Sequence, residues 1–473
     1  MKKLINYIGI LLVFLAFTSC EQDPVIRDNA TTEINSDADL HSMMNGTYAL
    51  MKHQYGYGRN YMLAVGEIRA DNVFSDLNSG RWGNWMKMDV RYTNDHLQQV
   101  FSRLYQSLAN PNIIINADLG ELEGNEEDIE HLLGQAYGVR AYIYFDLLRG
   151  WGQQYIDEGE NLGISYVKSY KSEEDKDGVP RGTVDENKQD ILNDIDTAIE
   201  HLKAGASSKY ADNSLNFTLD AAILLKARFY NYFREYDKVR EMEADLQEVL
   251  QRHPVTAASE VVSYWAAQTP PKESIFELAN SSSDNNGGSN IGNFYRGTTQ
   301  SDIRVFTALD PNGDNDANFE AGDVRAQPAM IDYQISSSGK NQGLRYMGKY
   351  PDNVFGSDNI KLERGSEIAL ILAEAFVGND DAKASQYLNE ITANRNVSNY
   401  ASPISYDDIL EERRKELLGE GFRFFDLQRF GKKIRAMGSG SHPEIEPGDY
   451  RFTLPLPRQE LDANKQTQQN PHY

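Results

Sequence analysis

Apolar side chains recur three or four positions apart along most of the chain, with polar residues between them. This spacing places the apolar residues on one face of a helix. It predicts helices over residues 35–52, 61–68 and 94–119, the last with a kink at Pro111, which lacks a backbone N–H donor.

Three further stretches have small and aromatic residues on one helical face, at residues 132–151, 219–250 and 366–395. In the last two, a polar turn separates two helices. Small residues let helices approach closely and aromatic rings fill the remaining space, as in stacked tetratricopeptide-like hairpins. The sequence therefore predicts a mainly α fold with little β structure.

The helical period is lost over residues 254–365, which we interpret as a loop-rich insertion. Residues 281–293 are rich in Ser, Asn, Asp and Gly, which favour turns. Short strands are predicted at residues 274–278 and 344–347. Loops held on a rigid helical frame are the usual place for a binding site.

Residues 405–431 combine a capped helix with a cluster of phenylalanines. Ser405 and Asp408 have the spacing of a capping box, and Gly421 is placed to end the helix in the left-handed conformation. The many charges predict a solvated helix face with a few Arg–carboxylate pairs. The aromatic rings are expected in the core.

The first residues have the pattern of a signal peptide, with two lysines followed by an apolar segment at residues 4–17. This segment is shorter than the roughly 20 apolar residues of a membrane span. Cys20 is the only cysteine, and its position after a small residue resembles a bacterial lipobox, although Phe17 replaces the usual leucine. We expect residues 1–19 to be the signal peptide, Cys20 to be lipidated and residues 20–34 to be a tether. The alternative is an ordinary secretory peptide with an incidental cysteine.

The formal charge of −24 argues against binding to nucleic acid and against adhesion to anionic lipid surfaces. No catalytic motif of the G-x-S-x-G, H-E-x-x-H or P-loop type occurs, and the eight histidines show no metal-ligand spacing. Carboxylate pairs of the kind that glycoside hydrolases use are expected by chance among 71 acidic residues.

One acidic stretch resembles the first half of a calcium-binding loop, because Asp310, Asn312, Asp314 and Asp316 place oxygen ligands at alternate positions. The twelfth position, which needs a bidentate glutamate, is Ala321. The stretch therefore predicts either a structural Ca²⁺ site or a polar turn, and no other cofactor is expected.

Two tryptophans, Trp82 and Trp85, lie in a glycine-flanked polar segment beside Arg81 and Asn84, with Asp71 upstream. A sugar ring packs its C–H face on an aromatic ring, and its hydroxyls need polar partners at the rim. These residues are therefore our first candidates for contacts with a carbohydrate. The alternative is that the indole rings pack beneath the segment.

Second candidates lie inside the insertion. They are Tyr295 and Arg296 in the Asn- and Gly-rich loop, and Trp265 beside Tyr264.

The segment at residues 405–431 also has the pattern E-x-R-R-x-E-L…E-G-x-R-x-F-D-L-x-R-x-G. The residues that form it are Glu411, Arg413, Arg414, Glu416, Leu417, Glu420, Gly421, Arg423, Phe425, Asp426, Leu427, Arg429 and Gly431. The pattern resembles the C-terminal signature of the SusD/RagB family, the nutrient-binding outer-membrane lipoproteins of Bacteroidetes.

The resemblance implies a SusD-like fold in one domain over residues 35–473. In this interpretation the helical scaffold spans residues 35–253 and 366–431, the insertion spans 254–365, and the C-terminal tail spans 432–473. The family shares no motif for its ligand contacts, so the resemblance assigns no contact residue here.

The resemblance also implies a function at the outer membrane, facing the cell exterior. Such a protein binds an oligosaccharide without cleaving it and delivers it to a SusC-like TonB-dependent transporter. Peptide capture of the RagB kind, a surface glycoside hydrolase and a purely structural helical scaffold remain alternatives.

Overall fold

Helices dominate the fold, and most of their bounds follow the apolar stripes of the sequence. The computed structural model describes residues 34–75, 80–153, 161–169, 177–296, 302–305, 319–334, 344–352, 355–435 and 444–473. The α-helices in these ranges are α1 (Asp37–Met51), α2 (Gly83–Met86), α3 (Asp95–Ser107), α4 (Ala109–Ile115), α5 (Glu126–Trp151), α6 (Val184–Ala204), α7 (Leu219–Tyr232), α8 (Tyr236–Glu241), α9 (Glu243–Arg252), α10 (Val261–Ala266), α11 (Ile291–Arg296), α12 (Gly365–Phe376), α13 (Asp381–Ala393), α14 (Tyr406–Glu416), α15 (Arg423–Arg429) and α16 (Arg458–Ala463). Helical turns of other types are a π-helix at Tyr61–Ile68 and 3-10 helices at Leu119–Glu121, Ala258–Glu260, Gly287–Ser289, Val324–Ala326 and Tyr450–Phe452. The prediction of a mainly α fold is confirmed.

The longest helix, α5, packs against α6. A buried ion pair joins them, because Arg140 donates from Nε and Nη2 to the two oxygens of Asp194, both at 2.7 Å. A Cβ on Gly138 would lie 2.1 Å from the Phe217 ring, so only glycine fits at this close approach. Helix α6 was not among the helices predicted from the sequence, although Thr183 and Glu186 form a capping box at its start.

The predicted hairpins are present as α7 to α9 and as α12 with α13. The guanidinium of Arg228 on α7 bonds both oxygens of Glu367 on α12 at 2.6 Å, which joins the two hairpins. The long helix predicted over residues 94–119 is instead broken at Leu108, between α3 and α4.

The described strands form three antiparallel pairs. The strands are β1 (Val73–Ser75), β2 (Ser274–Leu278), β3 (Ile303–Val305), β4 (Ile331–Gln334), β5 (Leu344–Met347) and β6 (Ile360–Arg364). In the pairs, Val73 faces Val305, Leu278 faces Ile360, and Ile331 faces Met347. The predictions of β2 and β5 are confirmed.

The capping box at the start of α14 is confirmed. Ser405 Oγ accepts the Asp408 N–H at 3.2 Å, and the Asp408 carboxylate accepts the Ser405 N–H at 2.8 Å. The helix ends at Glu416, earlier than predicted, and the chain then turns through Gly419 and Gly421, with φ angles of +80° and +82°.

The five charged residues 412–416 of α14 are buried, whereas Asp407 is exposed, so the prediction of a solvated helix face is wrong for most of these charges. Glu412 and Glu416 join a set of charges from other elements, which we call the buried ion network. Its members are Glu273, Asp323, Arg325, Lys349, Arg364, Arg395, Glu412, Glu416 and Glu420. Arg364 contacts Glu273 at 2.8 Å, Glu416 at 2.7 Å and Glu420 at 2.8 Å. These ion pairs tie the end of α14 to β6 and to the loop before β2.

In the described parts of the chain, none of the helices combines the length and the apolarity that crossing a membrane requires.

Candidate binding site

Loop segments far apart in sequence meet beside the predicted tryptophan segment. We call this region, at residues 52–59, 80–84, 284–296, 302–304 and 355–358, the loop cluster. The pairing of β1 with β3 brings Asp302 to Arg81, whose Nη1 lies 3.1 Å from the carboxylate. The Gln54 N–H donates to Asn286 Oδ1 at 2.9 Å, and Asn286 donates back to the Lys52 carbonyl at 2.8 Å.

The rings of Trp82 and Trp85 are fully buried, so the expectation that a sugar could stack on them is wrong. Residues 83–86 form the short helix α2, and its geometry points positions 82 and 85 to the same side. Trp82 packs edge-on against Phe294, with ring centroids 5.8 Å apart, and against His96 at 5.1 Å. The apolar area of two indole rings favours this inward orientation.

Arg81 and Asn84 do reach the surface of the loop cluster. Asn84 is exposed and Arg81 is half-buried. The Arg81 guanidinium lies 4.9 Å from the centroid of the Phe294 ring. Both side chains therefore remain candidates for ligand contacts.

The candidates in the insertion are mostly buried. Tyr295 is buried 6.4 Å from Tyr350 between ring centroids, so its ring offers no surface to a ligand. Arg296 is half-buried and donates to the Ala329 carbonyl at 3.4 Å.

Trp265 is also buried, and its expected contact with a ligand is not supported. It packs against Tyr264 at 5.3 Å and Tyr350 at 6.0 Å between ring centroids, under the ammonium of Lys349 at 4.8 Å.

Asp71 belongs to the structural core rather than to a binding surface. Its carboxylate accepts from Arg423 Nε at 2.6 Å and lies 3.4 Å from Arg435. Burial alone would raise the pKa of Asp71, but Arg423, Arg414 and Arg435 together lower it well below its usual range.

Phe355 is a further candidate for a ligand contact, and it was not among the residues predicted from the sequence. Its side chain is 63% exposed, the largest exposure among the large apolar residues of the described ranges. The Asp352 carboxylate accepts the N–H groups of Phe355 at 2.9 Å and of Ser357 at 3.0 Å. Asp358 accepts the Asp352 N–H at 2.7 Å and closes the loop. Like the two tryptophans, Phe355 is an aromatic residue in a polar, turn-rich segment, and this pattern is visible in the sequence.

Phe355 and the tryptophan segment are connected through the Asn-rich loop. A Cβ on Gly356 would come within 2.3 Å of Asn290 Cβ, so the loop that carries Phe355 lies directly against the Asn-rich loop. The adjoining Ser289 carbonyl accepts from Arg59 Nη1 at 3.3 Å. The loop that carries the exposed Phe355 ring is therefore packed against hydrogen-bonded turns of the loop cluster.

Arg59 is the second residue that the sequence analysis missed. Its guanidinium packs over Phe294 at 4.7 Å and Trp82 at 5.8 Å. Burial, and then the nearby Arg81, lower the pKa of Arg59 to about 10, so it is still a cation at neutral pH. Burial together with Arg59 and Arg81 lowers the pKa of His96 to about 4, so His96 is neutral there.

The predicted calcium ligands and Cys20 lie outside the described residues. Within the described ranges, no group of three or more His, Cys, Asp or Glu residues is arranged to hold a metal ion.

Two family models match the chain. The model described as "Starch-binding associating with outer membrane" matches residues 22–231, and the model of the SusD family matches residues 283–473, which include the signature at 411–431. The chain belongs to the SusD/RagB family.

Similar SusD proteins match nearly the whole chain. SusD-like protein P38 of Formosa agariphila is 24% identical, with all of both chains aligned. A SusD superfamily structure from Bacteroides thetaiotaomicron is 25% identical, with a TM-score of 0.81 over 92% of this chain and 100% of that one. Surface glycan-binding protein A from the same organism, solved with laminarihexaose, is 16% identical, with a TM-score of 0.72 over 92% of this chain and 100% of that one. The last likeness establishes the SusD fold alone.

Proposed function

We propose that this protein binds an oligosaccharide at the cell surface through the loop cluster and does not cleave it. The observation that carries the proposal is the Phe355 ring, which is 63% exposed on a loop tied by its own carboxylates. Covering an exposed apolar ring with the apolar face of a ligand is favourable, because it removes both surfaces from water. A protein of the SusD fold solved with laminarihexaose shows that this fold can bind an oligosaccharide, which supports the proposal.

The mechanism needs only complementary surfaces. The C–H face of a sugar ring packs on Phe355, and its hydroxyls bond to polar groups at the rim. Asn84 and Arg81 lie in the same loop cluster and supply an amide and a guanidinium. Binding of this kind requires no acid, base or nucleophile.

The other parts of the proposal concern delivery. A lipid on Cys20 would anchor the chain to the outer membrane, with residues 20–34 as the tether. A SusC-like TonB-dependent transporter would receive the glycan. The family model described as associating with the outer membrane supports this location.

The test is calorimetric titration of the purified protein with a panel of oligosaccharides and, in parallel, with peptides. We expect heat from at least one oligosaccharide and no release of sugar on incubation. Binding of peptides alone would favour the RagB-like alternative, and sugar release would establish a glycoside hydrolase. Failure to bind either class would favour the alternative of a structural scaffold.

A calcium ion at Asp310, Asn312, Asp314 and Asp316 is a separate proposal, based on their spacing. Titrating calcium into chelator-treated protein tests it, and the absence of binding heat would leave the polar-turn alternative.

A further inference from the structure

Arg59 is a buried cation that bonds only neutral groups in the described chain. Just 4% of the residue is exposed. Its Nε donates to Asn60 Oδ1 at 2.9 Å, and its Nη1 donates to the Ser289 carbonyl at 3.3 Å and to Gln54 Oε1 at 3.5 Å. Among the described residues, no acceptor bonds Nη2, and no carboxylate forms an ion pair with Arg59.

Several other buried arginines are neutralised directly by a carboxylate. Arg140, Arg228 and Arg364 each contact a carboxylate at 2.6–2.8 Å. A buried charge without a counter-ion is costly, so its position needs a compensating interaction. For Arg59 the compensation comes from the faces of Phe294 and Trp82, which attract a cation without consuming its N–H donors.

A second guanidinium, that of Arg81, adds positive charge beside the Phe294 ring. Arg81 lies over the same Phe294 ring at 4.9 Å and pairs with Asp302 at 3.1 Å. The pKa of Arg59 is lowered by burial and then by Arg81, as expected for two cations held near one another. Asp302 contacts Arg81, and its charge acts on Arg59 only at longer range, where it raises the pKa of Arg59.

The net negative charge of the chain makes a local cation important for binding an acidic ligand. A protein of formal charge −24 repels an acidic polysaccharide at long range. An acidic ligand would therefore need a specific positive point at the binding surface. Arginine is well suited to that role, because its planar fork bonds carboxylate and sulfate oxygens in pairs.

We infer that the loop cluster recognises an acidic glycan, with Arg59 as the buried anchor for a carboxylate or sulfate group and Arg81 as its more exposed partner. The inference rests on the proposed function and narrows its ligand class to sugars that carry a negative charge. Arg59 Nη2 supplies the donors, and the Phe294 and Trp82 rings hold the guanidinium in place.

The test compares ligands that differ only in charge. Oligogalacturonate is titrated beside its methyl ester, and a sulfated galactan oligosaccharide beside its desulfated form, at low and at high salt. We expect one acidic ligand to bind tighter than its neutral counterpart by on the order of 10- to 100-fold, as for a charged hydrogen bond, with the preference reduced at high salt. The two pairs distinguish a carboxylate from a sulfate.

The variants Arg59→Gln and Arg81→Gln should remove most of that preference, while Arg458→Gln, an exposed arginine outside the loop cluster, should retain it. Melting temperatures are recorded for all three variants. If Arg59→Gln fails to fold, Arg81→Gln, which changes a half-buried side chain, tests whether the preference for the acidic ligand depends on the loop cluster. Equal binding of charged and neutral ligands, or a preference that survives both loop-cluster substitutions, would overturn the inference but leave the proposed function intact. If no oligosaccharide binds at all, both fail.

Discussion

The buried ion network and the loop cluster are built from the same types of side chain, but they differ in how these side chains are paired and exposed. Both combine arginines, carboxylates and aromatic rings. In the network, Arg364 bonds three carboxylates and Arg395 contacts Glu416 at 2.7 Å, and all of these residues are buried. In the loop cluster, Arg59 bonds neutral groups and Phe355 is exposed. In this chain, dense charge in the sequence therefore belongs to the frame, whereas a cation without a paired carboxylate and an exposed aromatic ring belong to the candidate site.

Arg364→Met is the substitution with the largest expected effect on the frame. It would remove one cationic partner from each of the buried carboxylates of Glu273, Glu416 and Glu420, which costs about 3–5 kcal/mol of unfolding free energy. Urea denaturation measures the loss. Arg458→Met is the matched control, because its pair with Asp462 is exposed and should contribute under about 1 kcal/mol. Equal losses in the two variants would show that the network does not hold the frame.

The pH dependence of stability tests the junction between the π-helix and Gly421. Glu67 accepts the Gly421 N–H at 2.9 Å, and burial raises the pKa of Glu67 to about 8. Because the pKa of Glu67 in the folded state lies above its ordinary value of 4.5, the contribution of Glu67 to the free energy of unfolding is complete below pH 4.5 and is lost as pH rises towards 8. The loss amounts to up to about 4 kcal/mol.

Glu67→Gln carries no titrating proton, so the difference in unfolding free energy between the wild type and this variant should change across the window from pH 4.5 to 8. Denaturation at several pH values gives that difference. A difference that is constant with pH would contradict the account of Glu67.

Ser405→Ala should have the smallest effect on the frame, because it removes one side of the capping box at the start of α14. We expect a loss of about 1 kcal/mol in unfolding free energy and no change in ligand affinity. The exposed Ser259 provides the control substitution, Ser259→Ala. A cap that contributes nothing would leave both variants with the same midpoint.

Local patterns predicted much of the frame. The cap at Ser405, the helices around residues 219–250 and 366–395, and the strands β2 and β5 all depend on neighbouring residues in the chain. Helix α6 was missed although its signal is local, with Ile191, Ile195 and Leu202 on one face behind a capped start.

The candidate site depends on contacts that sequence spacing does not contain. Trp82 turns inward because Phe294, more than 200 residues away, supplies a partner for its ring. Asp71 likewise finds Arg423 across the fold. Phe355, by contrast, had a local signal, because its loop is polar and turn-rich.

The central claim is that the loops bind the ligand while the signature segment holds the frame. The most direct test measures oligosaccharide affinity and melting temperature for Phe355→Ala and Phe425→Ala side by side. Phe425 is 2% exposed and packs under Arg149 at 4.3 Å, so its loss should cost about 3–5 kcal/mol of stability. The account predicts that Phe355→Ala weakens affinity roughly tenfold with an unchanged melting temperature, and that folded Phe425→Ala binds as the wild type does. A Phe355→Ala protein with full affinity, or a Phe425→Ala protein that keeps its melting temperature and loses binding, would contradict it.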